Sequence, residues 1–519
     1  MSVRLTKKHG DTHYANIPYG YYTFGVTFCF IFGLILVRKF CSVKSSKSKS
    51  RLVRSIVDAS PIVYVPTLIL VLGVPFVHHY SLRHDAAVYM KRLGRVSYIL
   101  IFLNSFLTIR PNYVLSDYTY AQLIPLHIWL SRFIVILGLV HGACFVVKWV
   151  LDNNVSAMEK LFSNTWNFVG FVVWLFILLL LFASTGPIRR YSYNTFFVIH
   201  QLGQWAMCLL IPVHARPGVA WPYLAAIGSI YLVEFVSKVS LSHSANVISK
   251  ITNYEQGTKL VRVLLPRVVM PERFAVGSHL RISSYRKLHP LYWFLPSHPF
   301  TVASLPDDGH VELIVREHNN FTFQLGSFYT VVNHYEGISS EKLAKAKRVA
   351  IVVGGAGISL GLPIFRYLKQ QGDIDYIKFV WMVRNESEMH VIDDKQGIDV
   401  FVTQGAPDLD NAAVYSTSDT REDHIEHFEL ESLDDIDMEA SNLDESGALI
   451  GNKPFSATDN AKIKYGCRIN WSVELASFVN RPTYLNHLLI VCGPKGLVND
   501  GEAYAEANAV DIYKELYVL

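Results

Sequence analysis

The sequence predicts a membrane all-α helical bundle followed by a β-barrel domain and an α/β parallel-sheet domain, and three observations predict it. Long apolar stretches occur only before residue 240, short β-rich runs follow from about 245, and strands alternate with helices after 348. The averages hide this division. The 519 residues are 51% hydrophobic and 18% charged, with mean hydropathy +0.24. A soluble domain carries about 25% charge, so the chain is too apolar to be wholly soluble. It is also too charged and too long to be membrane helices alone. Its formal charge of +5 conceals residues 419–445, which hold twelve acids and one Arg. Cysteines 29, 41, 144, 208, 467 and 492 lack clustered spacing, which argues against a disulfide framework or a thiolate zinc site. Disorder, collagen and a small secreted scaffold are excluded, and nucleic acid is not an expected partner.

Apolar stretches near 19–37, 60–80, 95–110, 121–147, 166–185, 196–214 and 220–237 predict about seven spans, each needing roughly 20 residues. The 95–110 stretch is the weakest. Arg4, Lys7 and Lys8 precede the first stretch like a signal peptide, but the apolar run is too long for one and reads as an uncleaved anchor. The Lys/Arg-rich segment 38–54 and the pair Arg189–Arg190 place those loops in the cytosol. Everything after Lys238 is then cytosolic. The loop 81–95 disagrees, because Arg83, Lys91, Arg92 and Arg95 fall outside on this count. The sequon Asn154-Val155-Ser156 falls outside as well, which is weak support.

In the soluble half, Lys259–Leu265 (KLVRVLL) and His310–Arg316 (HVELIVR) predict strands of a small barrel or sandwich. Arg348–Val353, the helical stretch 361–371 and Ile377–Val383 predict a βαβ unit. Residues 405–462 are acidic and rich in Ser, Asp and Asn, a composition expected of a disordered insert. The expected division is 1–94 (first helices and basic loop), 95–238 (the main membrane domain), 239–345 (barrel) and 346–519 (α/β).

Four histidines share one spacing. His127 and His141 lie in the fourth span, His200 and His214 in the sixth, each pair 14 residues apart. Fourteen steps make about 3.9 turns, so both imidazoles share a helix face roughly 21 Å apart. Two such helices side by side present two facing pairs, each able to supply both axial ligands of a haem. A lone membrane histidine can instead fill a polar gap, but the duplicated spacing favours ligands. Zinc is a poor alternative, because ligands that far apart on one helix cannot meet at one ion. His78 and His79 have no partner at this spacing and read as interfacial.

Two soluble motifs are chemically legible. In Ile351–Ile364 (IVVGGAGISLGLPI) a strand runs through Gly354, Gly355 and Gly357 into a helix, the arrangement that lets backbone N–H groups approach a pyrophosphate. A glycine turn alone is a weak signal. Val491-Cys492-Gly493-Pro494 closes another apolar strand, and His298-Pro299-Phe300-Thr301-Val302-Ala303-Ser304 precedes them both. Taken together and in order, HPFTVAS, the paired His-x13-His, GGAGIS and CGP resemble the ferric reductase/NADPH oxidase family. The match covers about 95–400 and 465–519, and the short fungal probable-metalloreductase branch looks nearest.

That resemblance implies a ferredoxin-NADP-reductase-like module carrying FAD and NADPH, joined to a membrane domain with two haems b. It implies that His127, His141, His200 and His214 are axial ligands. His298, Pro299, Phe300 and Thr301 would meet the flavin, with the Thr301 hydroxyl near N5, and Arg316 the FAD pyrophosphate. Gly354, Gly355 and Gly357 would cradle the NADPH diphosphate. Arg384 and Arg481 would take the 2′-phosphate, and Cys492, Gly493 and Pro494 would lie by the nicotinamide. Asn319 and Asn480 stand where relatives commonly have Gly, and the chain ends Tyr517-Val518-Leu519 where relatives usually end on an aromatic residue. Tyr517 is then the candidate flavin cover.

The expected activity is transmembrane NADPH-dependent reduction of ferric or cupric chelates, serving iron and copper homeostasis. The rival acceptor is O2, giving superoxide. A haem-binding regulatory subunit without turnover is the alternative of another class. Arg92 and Arg95 are expected to neutralise haem propionates on the outer side. The plasma membrane or the endoplasmic reticulum is the expected site, assembly of several copies is left open, and the acidic insert reads as a solvated linker.

Overall fold

The computed structural model describes residues 16–41, 51–77, 85–118, 120–151, 156–215, 219–317, 321–335, 337–338, 340–404, 462–480 and 486–516. The acidic insert, apart from Lys462, lies outside the described residues. So do Arg481, Tyr517, Asn319, His78, His79, most of the basic 38–54 segment and the Asn of the sequon. The chain divides into two compact units. One comprises 1–245, 280–299 and 328–335; the other comprises 246–279, 300–327 and 336–519.

The first unit holds seven main helices where the apolar stretches fall: α1 (Ile17–Cys41), α2 (Pro61–Phe76), α3 (Ala86–Thr108), α4 (Tyr120–Leu151), α5 (Thr165–Ala183), α6 (Tyr193–His214) and α7 (Trp221–Ser240). Five of them, α1 and α4 to α7, are long and apolar enough to cross a membrane. Helix α2 has 16 residues and carries Pro66 and Pro75 inside it. Helix α3 starts at Ala86, well before the expected 95, and draws Lys91, Arg92 and Arg95 into its first turns.

That early start has a physical cause. Arg92 is only 4% exposed. Its Nε donates to Asn16 Oδ1 at 2.9 Å, and Nη1 donates to the carbonyls of Pro75 and Phe76. Its guanidinium also lies over the rings of Tyr19 and Tyr89. The carbonyls at the end of α2 lack the i+4 N–H donors of a helix interior, so one cation ties three helix ends together. This is the position the structure gives a residue expected to face haem propionates.

The helices pack through a continuous apolar core that includes Leu34, Ile99, Leu100, Leu103, Leu107, Leu123 and Leu130. Hydrogen bonds cross it from Ser97 Oγ to the Ile134 carbonyl at 2.9 Å and from Asn104 Nδ2 to Ser131 Oγ at 2.8 Å. Ile136, Leu179, Leu181, Phe182 and Leu232 stay exposed, as a lipid-facing surface requires. Among the described residues no disulfide joins the cysteines.

The β region consists of two small sheets. One has the order β1 (Ser242–Asn246), β7 (Phe328–Tyr335), β4 (His279–Ser283), β5 (His298–Thr301). The other is antiparallel, β2 (Ser249–Ile251), β3 (Leu260–Pro266), β6 (His310–Arg316). A short helix α8 (Pro290–Phe294) lies between β4 and β5.

The last part is an all-parallel six-stranded sheet, order β11-β10-β9-β8-β12-β13. Its strands are β8 (Arg348–Gly354), β9 (Tyr376–Val383), β10 (Ile398–Val402), β11 (Ile463–Tyr465), β12 (His487–Gly493) and β13 (Asp511–Leu516). Strands β8 and β12 are buried along nearly their whole length, because helices cover both faces of such a sheet. These include α9 (Ile358–Gln371) and α10 (Lys495–Ala507). Strand order reverses between β8 and β12, and ligand crevices form beyond the carboxyl ends of strands at such a point.

Candidate cofactor sites

Helices α4 and α6 bring the four histidines together in two pairs. Ring centres are 6.3 Å apart for His127 and His200, and 6.1 Å apart for His141 and His214. A metal bonded to both rings at about 2 Å per nitrogen, with roughly 1 Å from nitrogen to ring centre, gives about 6 Å. The rings therefore stand at axial-ligand separation.

The backbone also orients them. His141 Nδ1 and His214 Nδ1 each lie 2.7 Å from a carbonyl, that of Met90 and Trp166 respectively, while His127 Nδ1 is 3.4 Å from the Asn104 carbonyl. An N–H donated there leaves Nε2 as the free ligand nitrogen. One device recurs at the His141/His214 pair. Gly94 lies four residues beyond Met90, and Gly170 four beyond Trp166. A Cβ on Gly94 would sit 2.9 Å from the His141 ring, and one on Gly170 would sit 2.5 Å from His214 Nδ1. Each glycine clears the space its histidine occupies beside the accepting carbonyl. The donor set and this clearance fit a bis-histidine haem.

At the His127 end of the same unit, Arg110 is sunk among Tyr120, Tyr335, Arg281 and Glu234. Its Nη1 donates to the Ile109 carbonyl at 2.7 Å, and its guanidinium stacks over Tyr120 at 4.4 Å. Its Nη2 is buried without a hydrogen-bond partner among the described residues. Arg110 also lies close enough to act on the charge of His127. Arg281 donates to Ser297, the residue before His298. Burial, and then Arg281, holds His298 below the usual imidazole range.

In the second unit, the Phe300 ring packs against Phe321 and Phe323 at 5.6 and 5.3 Å, and Thr301 is buried. Pro299 is exposed. Burial would raise Asp308, but the Arg366 fork and the Leu305 N–H hold it below its ordinary value.

The glycine turn and the CGP motif meet at the switch point. A Cβ on Gly357 would strike the Cys492 carbonyl at 2.6 Å, and one on Gly354 would lie 3.2 Å from Pro494. Gly355 adopts φ +53, a left-handed geometry suited to glycine, and its carbonyl accepts from Trp381 Nε1 at 3.0 Å. Helix α9 starts directly after, with its N-terminal end at the turn. The Arg316 side chain lies 3.5 Å from where a Gly355 Cβ would be. Arg316 pairs with Glu388 at 2.5 Å, and Glu388 also accepts from the Arg384 backbone N–H at 3.1 Å. The Arg384 side chain is exposed just past the end of β9. The Cys492 side chain is buried in the apolar core beneath the turn.

The structure thus assembles Gly354, Gly355, Gly357, Arg316, Arg384, Cys492, Gly493 and Pro494 around one end of the sheet. Sequence reasoning missed Glu388, one of two glutamates in the short polar stretch 385–390. It also missed Glu515, paired in register with Cys492 on β13. One Glu515 carboxylate oxygen is buried without a hydrogen-bond partner, and burial raises the group to about 7. Gly94 and Gly170 carried no signal in the sequence, because only the structure shows which carbonyls the imidazoles reach.

Comparison with known proteins agrees with this arrangement. Residues 93–211 match the ferric reductase like transmembrane component, 245–357 an FAD-binding domain, and 346–506 the ferric reductase NAD binding domain. The chain is 50% identical to the probable metalloreductase AIM14 of Eremothecium gossypii, covering 98% of each chain. It is 41% identical to that of Kluyveromyces lactis, covering 99% of each, and 35% identical to that of Saccharomyces cerevisiae strain JAY291, covering all of this chain and 99% of the other. FAD- and NAD-binding domains behind a helical membrane region make it a membrane oxidoreductase using FAD and NAD(P)H, and the chain belongs to the ferric reductase family of probable metalloreductases.

Proposed function

We propose that the protein passes electrons from cytosolic NADPH through FAD and two haems b to ferric or cupric chelates beyond the membrane. The observation that carries this reading is the pair of histidine pairs at axial separation, in one chain with flavin and nicotinamide domains. The name probable metalloreductase borne by its relatives supports the choice of acceptor. When bound, the flavin accepts a hydride and releases electrons singly to haems that carry one at a time.

The chain's own residues do the positioning. His127 with His200, and His141 with His214, would hold the two haems. Arg110 supplies buried positive charge on the His127 side for propionate carboxylates, and it groups with Arg281 of the flavin-domain sheet. That grouping supports His127/His200 as the inner pair. Phe300 and Thr301 face the flavin, with His298, held below the usual imidazole range, on the same strand. Gly354, Gly355 and Gly357 present backbone N–H groups to the NADPH diphosphate, and Arg316, fixed by Glu388, holds pyrophosphate. Arg384 and Arg481 take the 2′-phosphate, while Cys492, Gly493 and Pro494 border the nicotinamide. Residues 95–238, 239–345 and 346–519 divide these tasks as membrane, flavin and nicotinamide parts. The soluble parts face the cytosol from the plasma membrane or the endoplasmic reticulum.

Purified protein in liposomes, given NADPH and ferric or cupric chelates, tests the assignment. The expected result is ferrous or cuprous product matching NADPH consumed. His141→Ala and His214→Ala should abolish it while NADPH still bleaches the flavin. Superoxide in stoichiometric yield with no metal reduction would overturn the metalloreductase reading.

A further inference from the structure

We infer that residues 286–294 form a membrane-surface foot, seated in the phospholipid headgroup and acyl boundary beside α7. The inference starts from an exposure that a soluble loop does not need. Leu288 is 95% exposed, Phe294 49% and Leu291 39%. They flank or lie on the short helix α8, whose buried Tyr292 anchors it.

This turn is fastened to the end of a membrane helix. The Trp293 ring stacks on Phe235 of α7 at 5.0 Å. Lys238 of α7 donates to the Tyr292 carbonyl at 3.3 Å, and its ammonium lies 4.4 Å from the Tyr292 ring centre and 4.9 Å from that of Trp293. In return Lys287 donates to the Val239 carbonyl near the end of α7. The outer surface of α7 at this end is apolar: Leu232, Val233, Phe235 and Val236 are all exposed. The foot continues that surface.

Chemistry identifies the occupant. A face built from Leu, Leu and Phe, carrying a Trp next to the helix and an exposed Arg286, matches the interfacial zone. There rings sit at headgroup depth, aliphatic side chains reach the acyl boundary, and Arg meets phosphate. Because α7 crosses the same bilayer, lipid reaches the foot without a further partner.

The test places a photo-activatable benzoylphenylalanine at position 288, 294 or 235 of the full-length protein in nanodiscs containing anionic phospholipid. Position 235 serves as the lipid-facing reference. Lipid adducts at 288 and 294, found by mass spectrometry in yield comparable with 235, are expected. Adducts at 235 alone would overturn the inference. So would cross-links from 288 or 294 that go chiefly to a second copy of the chain.

Discussion

Replacing Gly170 by Ala should remove one haem and leave the other. The perturbation is a single methyl, and its consequence follows from where the methyl would stand. It would lie 2.5 Å from His214 Nδ1, whereas carbon contacts settle near 3.5–4.0 Å. The imidazole must therefore retreat by about 1 Å, off the Trp166 carbonyl that fixes its tautomer. Overpacking of this kind costs about 1–3 kcal/mol, and the lost hydrogen bond adds about 1 kcal/mol. A loss of 2–4 kcal/mol corresponds to roughly 30- to 1,000-fold in affinity, falling on the His141/His214 pair alone. Among the described residues, no glycine is pressed against the His127 or His200 ring. The assay is haem per FAD from the pyridine haemochrome, with the reduced-minus-oxidised spectrum recorded alongside. Wild type should carry two haems and Gly170→Ala close to one, with FAD content unchanged. Gly94→Ala should behave alike but more mildly, its methyl being 2.9 Å from the His141 ring. Gly25→Ala, which meets nothing within 4 Å, is the control. Two haems with an unchanged spectrum in Gly170→Ala would refute the assignment of that pair.

Three further outcomes are expected. Glu388→Gln leaves Arg316 without its carboxylate and should cost ~2–4 kcal/mol in and around the glycine turn, read as a lower unfolding temperature and weaker FAD retention. Arg110→Met should lower the midpoint potential of the haem on His127 and His200 by about 60 mV, the equivalent for one electron of a tenfold change; an unmoved potential would show that the buried cation faces no propionate. Glu515 is raised to about 7 from 4.5, so the unfolded chain releases that proton first as pH rises. Its contribution is fully present below pH 4.5 and is lost through pH 7, worth about 3 kcal/mol. Glu515→Gln should flatten that decline in thermal stability between pH 5 and 8.

What the sequence made legible was whatever repeats or runs continuously. The histidine spacing pairs α4 with α6 because 14 residues return to one face whatever surrounds them. Strands β8 and β12 announce themselves by unbroken apolar runs, since both their faces are covered. Helix α3 was harder to read. Lys91, Arg92 and Arg95 argue for a loop when counted as charges, yet Arg92 lies inside the fold because Asn16 and two carbonyls from distant helices receive it. No local window contains those partners.

The same reason hid Glu388 and Glu515, which matter through neighbours 72 residues away in Arg316 and across a strand register in Cys492. It also separates the two kinds of glycine in the sites. Gly355 could be found from its motif, because a left-handed turn is a property of the local chain. Gly94 and Gly170 could not, because they are required by imidazoles arriving from other helices. Under the proposed function, the motif residues therefore mark where cofactors would touch backbone. The residues that hold the ligands in place lie outside the motifs and are fixed by packing, so substitutions there should separate haem retention from nucleotide binding more cleanly than substitutions within the motifs.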